Sequence, residues 1–387
     1  ALLLICLAAF ALRVRGLNWP AFHPDEPVVG RWLEQAVRGA TPKERLYARG
    51  FFAAARPAVW IGQKWELASI RVAFWRGRID HVPLEAYDPV MAARWVNVWL
   101  GTLVCIPVYL LVRRLTRSPA AGLLGAALAG LAQYPVEHSH YGETDMAMLL
   151  ALALALWLMA AAADGRRRGL FVLAALAGGA AAATKFTLWL LLPPIMALGL
   201  TLKPAGSERH PLRSAAGWAL AGLAAFLAGF VLMMPEVLDG RWFLDALAYE
   251  RARVFGEGSL NLGPFGADPG MRRSLHAWDL LRHARTLGAG WLLLAALGLP
   301  DLARRERRRF WTLTLLFPFL FLYYWIYRAP WVRSQEFMVF LPGLALLAGL
   351  GAAAGWRSGR LAMRLAVLVL AAAALGGSAV NGCRAAS

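Results

Sequence analysis

Asp145–Ala163 reads DMAMLLALALALWLMAAAA. After Asp145 the run holds no charged side chain. At about 1.5 Å of rise per residue, a helix of this length nearly crosses the hydrocarbon core of a bilayer. Working outward, comparable apolar runs recur at approximately 1–13, 90–112, 119–135, 169–184, 186–202, 215–234, 287–300, 311–327, 337–354 and 361–381. The pair separated by Lys185 has the softest boundaries, and several runs fall short of the roughly 20 residues that a perpendicular helix needs.

Composition agrees with the runs. The chain has 387 residues, of which 59% are hydrophobic and only 17% charged, with a mean hydropathy of +0.51. A soluble chain of ordinary composition carries about 25% charged residues. The expected fold is an all-α polytopic membrane protein with about eleven transmembrane helices in a single domain spanning 1–387. Residues 1–12 read as the visible part of a spanning helix rather than as a cleaved signal, because no small-residue cleavage pattern follows them.

The net charge is +18, from 41 Lys and Arg against 23 Asp and Glu. In a soluble protein that excess would point to nucleic acid. Here the basic residues cluster in loops beside apolar runs, with no nucleic-acid-binding motif, so they point to topology and anionic lipid. The basic short loops are Arg113–Arg117, Arg166–Arg168, Lys203–Arg213, Arg304–Arg309 and Arg357–Arg364. The alternate short loops hold only Lys185, Arg328 and Arg333. Basic loops stay in the cytoplasm, which places the first set inside and the long loops 14–89 and 235–286 outside. In a Gram-negative cell the outer face of this plasma membrane is the periplasm. Residues 27–39 and 57–76 mix Trp, Phe and Leu with Arg and Lys at near-helical spacing. They are expected to lie in the interface as amphipathic helices, with Trp32, Trp60, Trp65 and Trp75 at headgroup level; the other reading of this loop is a small extramembrane cap. Residues 256–270 are Gly- and Pro-rich, a composition that predicts a loop.

Cys6, Cys105 and Cys383 are far apart in the chain, with neither metal-ligand spacing nor a disulfide framework. Cys6 and Cys105 read as small apolar packing residues.

The chemistry concentrates on the external face. His23-Pro24-Asp25-Glu26 follows the first apolar run, and His138-Ser139-His140-Tyr141-Gly142-Glu143-Thr144-Asp145 leads into the run at 145. Carboxylates at a membrane edge are costly and mark function. Pro24 and Pro27 bracket Asp25 and Glu26 and favour a turn that presents one carboxylate and tethers the other. Asp25 is the candidate general base; a helix cap for the segment after it is the competing reading. Asp145 sits where the positive end of a helix dipole favours an anion. The two histidines beside the acids leave a divalent metal open without indicating one; no cofactor is called for. Lys185, in Ala183-Thr184-Lys185-Phe186-Thr187, and Arg328 and Arg333 are external cations suited to a phosphate, as a point charge or as bidentate guanidinium.

Together these strings resemble the C-type glycosyltransferase superfamily, nearest to the protein O-mannosyltransferases and the bacterial aminoarabinose transferases. The resemblance rests on Phe22-His23-Pro24-Asp25-Glu26 and Tyr141-Gly142-Glu143-Thr144-Asp145-Met146. It is supported by the Lys185 string, by Pro193-Pro194, and by Arg333-Ser334-Gln335-Glu336-Phe337 running into Leu341-Pro342-Gly343. It implies a polyprenyl-phosphate-linked sugar as donor, an acceptor hydroxyl on protein, lipid or glycan, and inverting transfer at the external face. It implies Asp25 as catalytic base with Glu26 assisting, Asp145 shaping the site, and Lys185 and Arg333 as donor-phosphate contacts. His23, His140, Tyr141, Glu143 and Glu336 are the candidates for the cavity wall. Two other functions stay open: a transferase-like subunit that has lost its chemistry and packs in a larger membrane complex, and a lipid or sugar transporter.

Overall fold

The computed structural model describes residues 1–17, 26–37, 89–165, 167–202, 211–241, 288–304 and 337–385, with scattered positions in 51–60, 243–248 and 282–286. The expected span 311–327, the segment 61–88, the Gly-rich stretch 256–270, and His23, Asp25, Arg328, Arg333 and Glu336 lie outside the described residues.

All regular structure among the described residues is helical. The helices, in order, are α1 (Leu2–Val14), α2 (Glu26–Val37), α3 (Pro89–Leu103), α4 (Cys105–Thr116), α5 (Pro119–Leu131), α6 (Gln133–Glu137), α7 (Asp145–Gly165) and α8 (Arg168–Thr184). They are followed by α9 (Leu192–Thr201), α10 (Pro211–Met233), α11 (Ala289–Arg304), α12 (Leu341–Arg357) and α13 (Leu361–Ala385). Short 3-10 turns at His138–His140, Phe186–Leu191, Pro235–Leu238 and Met338–Phe340 join them.

Five stretches are long and apolar enough to cross a membrane: Pro89–Thr116, Asp145–Ala163, Arg213–Met233, Met338–Arg357 and Leu361–Ser378. α3 and α4 together form the first of these. The shorter apolar helices Leu2–Val14, Pro119–Leu131, Arg168–Thr184, Leu188–Thr201 and Ala289–Pro300 fall where further spans were expected. The break at Lys185 is real: α8 stops at Thr184, Lys185 is extended, and a 3-10 turn leads into α9.

Small residues decide how the bundle closes. A Cβ at Gly179 would meet the Phe226 carbonyl, and one at Gly229 the Leu176 carbonyl, so α8 and α10 touch backbone to backbone. Gly298 and Gly351 do the same for α11 and α12, against Leu347 and Leu294. In lipid, where apolar surface alone gives little drive to associate, close approach of this kind is how helices gain contact.

α2 is seated on α3. Its stripe of Val29, Trp32 and Leu33 packs on Ala92 and Ala93 of α3 and on Ala55 and Val59. Trp32 is therefore buried against these neighbours. Trp60 is half exposed.

α1 ends, α3 begins, the 132–144 connection runs and α8 ends at one end of the bundle. The α4–α5 and α12–α13 turns lie at the other, where Arg117 and Arg357 line one cleft.

Candidate active site

The site is built on the first two and a half turns of α3. Arg94 and Asn97 lie three positions apart, on one helix face. Arg94 donates from Nε to Glu26 Oε1 (2.7 Å) and from Nη2 to Glu26 Oε2 (2.8 Å), a bidentate pair, and from Nη1 to the Leu17 carbonyl (2.8 Å). Both side chains are buried. The Gly142 N–H donates to Glu26 Oε1 at 2.7 Å. Asn97 Nδ2 donates to the carbonyls of Tyr141 and Glu143, each at 2.6 Å. Glu26 thus ties the start of α2 to α3 and to the loop that carries the second acidic string. Gly142 is small for a reason: a Cβ there would lie 3.0 Å from Ala93 Cβ and 3.5 Å from Glu26 Oε1.

The same loop is held from a second direction by Arg13, fully buried near the end of α1. Its Nε donates to Ser139 Oγ (2.9 Å), and its Nη1 to the carbonyls of Ala9 (2.9 Å) and Gly130 (2.7 Å). These three contacts offset part of the cost of burying the charge, while Nη2 meets no acceptor among the described residues. Gly101 leaves the room, since a Cβ there would lie 2.6 Å from Arg13 Nε.

Into this frame project the reactive groups. Asp145, the first residue of α7, lies 3.3 Å from Lys185 Nζ through Oδ1 and 3.1 Å from His138 Nδ1 through Oδ2. Lys185 caps the C-terminal end of α8. The acid at a helix start and the base at a helix end each oppose the adjacent dipole charge. His138, Glu143 and Asp145 each offer a ligand atom, and these atoms lie within 4.8 Å of one another, so they could hold a divalent cation. Of the two histidines in the string, only His138 joins the acids. His140 is buried near Arg13, and burial with that charge lowers its pKa to about 4, so the ring is neutral near pH 7. Burial, with the carboxylates of Glu137, Glu26 and Glu143 nearby, pushes the Tyr141 phenol up, keeping it a protonated donor. Its ring meets His138 edge-on.

The structure therefore brings together Glu26, Tyr141, Glu143, Asp145 and Lys185, with His140 in the wall behind. Arg13, Arg94 and Asn97 complete the site and were not singled out from sequence, whereas His138 was one of the two histidines noted beside the acids. Arg94 carried a usable signal, a full charge inside an apolar run, which in a spanning segment is itself a mark of a buried partner.

Residues 87–234 match the family of dolichyl-phosphate-mannose-protein mannosyltransferases. The matched stretch holds Arg94, Asn97, the 138–145 string and Lys185, and it leaves out Asp25, Glu26 and Arg333. The chain resembles the O-mannosyltransferases of the C-type glycosyltransferase superfamily, and the match supports a membrane glycosyltransferase of that type. No curated protein matches the chain.

Proposed function

We propose that the chain moves a sugar from a polyprenyl-phosphate donor to an acceptor hydroxyl at the external face of a bacterial inner membrane, with inversion at the anomeric carbon. The observation that carries this reading is the buried Asp145–Lys185 pair, set beside His138 and Glu143 at one end of the helices. A desolvated ion pair at a membrane edge contributes little to stability for its cost, which favours a role in chemistry.

The reaction asks for two things. The attacking hydroxyl must lose a proton as its oxygen bonds to the anomeric carbon. The bond from that carbon to the phosphate oxygen breaks, and its electron pair leaves with the polyprenyl phosphate. Asp25 takes the proton. It is the chain neighbour of Glu26. Both oxygens of Glu26 are engaged by Arg94 and the Gly142 N–H, which suits Glu26 to hold its neighbour in place rather than to move a proton. Lys185, with Arg333, stabilises the charge gathering on the leaving phosphate. Cations aimed there bind the transition state more strongly than the ground state. Asp145 orients Lys185, and Tyr141 offers a hydroxyl donor to the sugar.

The test is transfer of radiolabelled sugar from polyprenyl-phosphate donors by the purified protein. Asp25→Asn should remove about 10²–10⁴ of the rate, the usual contribution of a general base, while the protein still inserts and folds. Arg333→Ala should lower turnover more than it weakens donor binding. Near-normal turnover of Asp25→Asn would remove Asp25 as base. No transfer by the wild type from any such donor would favour a structural subunit.

A further inference from the structure

Cys6 and Cys105 are far apart in the chain and meet in the fold. Cys6, Ala9 and Arg13 follow one another at i, i+3 and i+7, so they share one face of α1. That face lies on Cys105, the first residue of α4, and on Ala126 and Gly130 of α5. The two thiols share a hydrogen bond. Gly130 ties them to Arg13. A Cβ at Gly130 would lie 2.8 Å from Cys105 Sγ and 3.2 Å from Ala9 Cβ, and its carbonyl accepts from Arg13 Nη1 at 2.7 Å.

Packing alone accounts for two small side chains, but not for their neighbour. Arg13 is fully buried. Its partners are one hydroxyl and two carbonyls. Its Nη2 meets no acceptor, and no carboxylate pairs with it, among the described residues. Its charge acts on both thiols. A guanidinium beside a dithiol supplies the positive charge that a thiolate needs, and the thiolate is the reactive form of cysteine.

Access to the pair comes from the lipid side. Cys6 is only partly buried. Leu3, Leu4 and Leu7 around it are exposed, on a helix that carries no charge before Arg13. Cys6 lies a full two turns before Arg13, on the order of 10 Å along the helix. An oxidant reaching it must dissolve in hydrocarbon.

We propose that Cys6 and Cys105 close to a disulfide, with a lipid-soluble quinone as the oxidant. Two S–H bonds break and one S–S bond forms. The two electrons and two protons pass to the quinone, which leaves as the quinol. The bond staples α1 to α4 beside Arg13, the residue that holds Ser139. This chemistry does not depend on the proposed transfer.

The test uses the full chain in lipid nanodiscs, reduced, freed of reductant and kept anaerobic. Decylubiquinone or oxidised glutathione is added. The protein is then denatured in acid, remaining thiols are alkylated with N-ethylmaleimide, and the products are read by intact mass and peptide mapping. The reduced chain carries three thiols. With the quinone, Cys6 and Cys105 should be recovered as one linked pair of peptides, while Cys383 stays alkylated. Oxidised glutathione should leave all the thiols free. Cys383→Ser should oxidise as fast as the parent, and Cys6→Ser should form no bond. A full set of free thiols after quinone, a link through Cys383, or a Cys6–Cys105 bond formed as fast by glutathione would each overturn the proposal.

Discussion

Lys185 Nζ lies 3.3 Å from Asp145 Oδ1, joining the C-terminal end of α8 to the N-terminal start of α7. The two residues come from separate apolar runs, and each sits where a helix ends. Their meeting turns two boundary charges into one buried pair, and Asp145 also reaches His138.

If Asp145 acts by holding Lys185, the two share one effect. Lys185→Met and Asp145→Asn should each lower sugar transfer by about 10²–10³, the usual loss when one electrostatic stabiliser of a transition state goes. The double variant should be no slower than the worse single one, as expected of residues that act as a unit. Losses that multiply would assign them to separate steps. The readout is turnover of the purified variants at saturating donor.

The Arg94–Glu26 pair should matter to folding more than to chemistry. Removing one partner of a buried pair strands the other, at about 3–5 kcal/mol. Arg94→Met or Glu26→Gln alone should lower stability by that order. The two together should cost clearly less than the sum of the singles, which a double-mutant cycle on unfolding free energies would read. Simple additivity would mean that the pair is not coupled in the folded protein.

His140 gives a pH dependence with a defined sign. Its pKa is about 4 in the fold and about 6.5 in an unfolded chain. Between those values the unfolded state binds more protons, so stability rises with pH there. The contribution is complete above about pH 6.5 and is lost as pH falls toward 4; 2.5 units correspond to on the order of 3 kcal/mol. Unfolding at pH 7 and pH 4.5 should differ less in His140→Gln than in the parent. An unchanged difference would assign the acid sensitivity to other groups.

Topology can be read from thiols. If the basic loops face the cytoplasm, α13 runs outward and exposed Cys383 near its end is external. A membrane-impermeant maleimide should label Cys383 in intact cells. In a Cys383→Ser background, Gly165→Cys should stay unlabelled until the membrane is opened. The reverse pattern would invert every loop assignment.

Much of this was legible from the chain. Hydropathy runs located the helices because a bilayer demands long apolar segments, and the stop at Lys185 was marked by a lone charge between two such runs. Asp145 and Lys185 were both named for the site, since charges at the ends of apolar runs stand out. Arg94 and Arg13 did not stand out, because a single arginine is averaged away in a long apolar window. The partner of Arg94, Glu26, lies 68 positions off, and no local period connects them. Which histidine faces Asp145 depends on the phase of a 3-10 turn, and alternating His138 and His140 do not declare it. The inward turn of Trp32 depended on finding Ala92 and Ala93 opposite, two small residues whose purpose shows only once α2 lies on α3.

The double grip of α3 has one more consequence. Arg94 takes Glu26 and Asn97 takes the backbone at Tyr141 and Glu143, while Glu26 itself takes Gly142. These bonds form a closed ring through three distant parts of the chain, so none can open alone without straining the others. The amides of Gly142 and of its neighbours should then exchange with solvent in one cooperative event together with the start of α2, as a single unit of local unfolding.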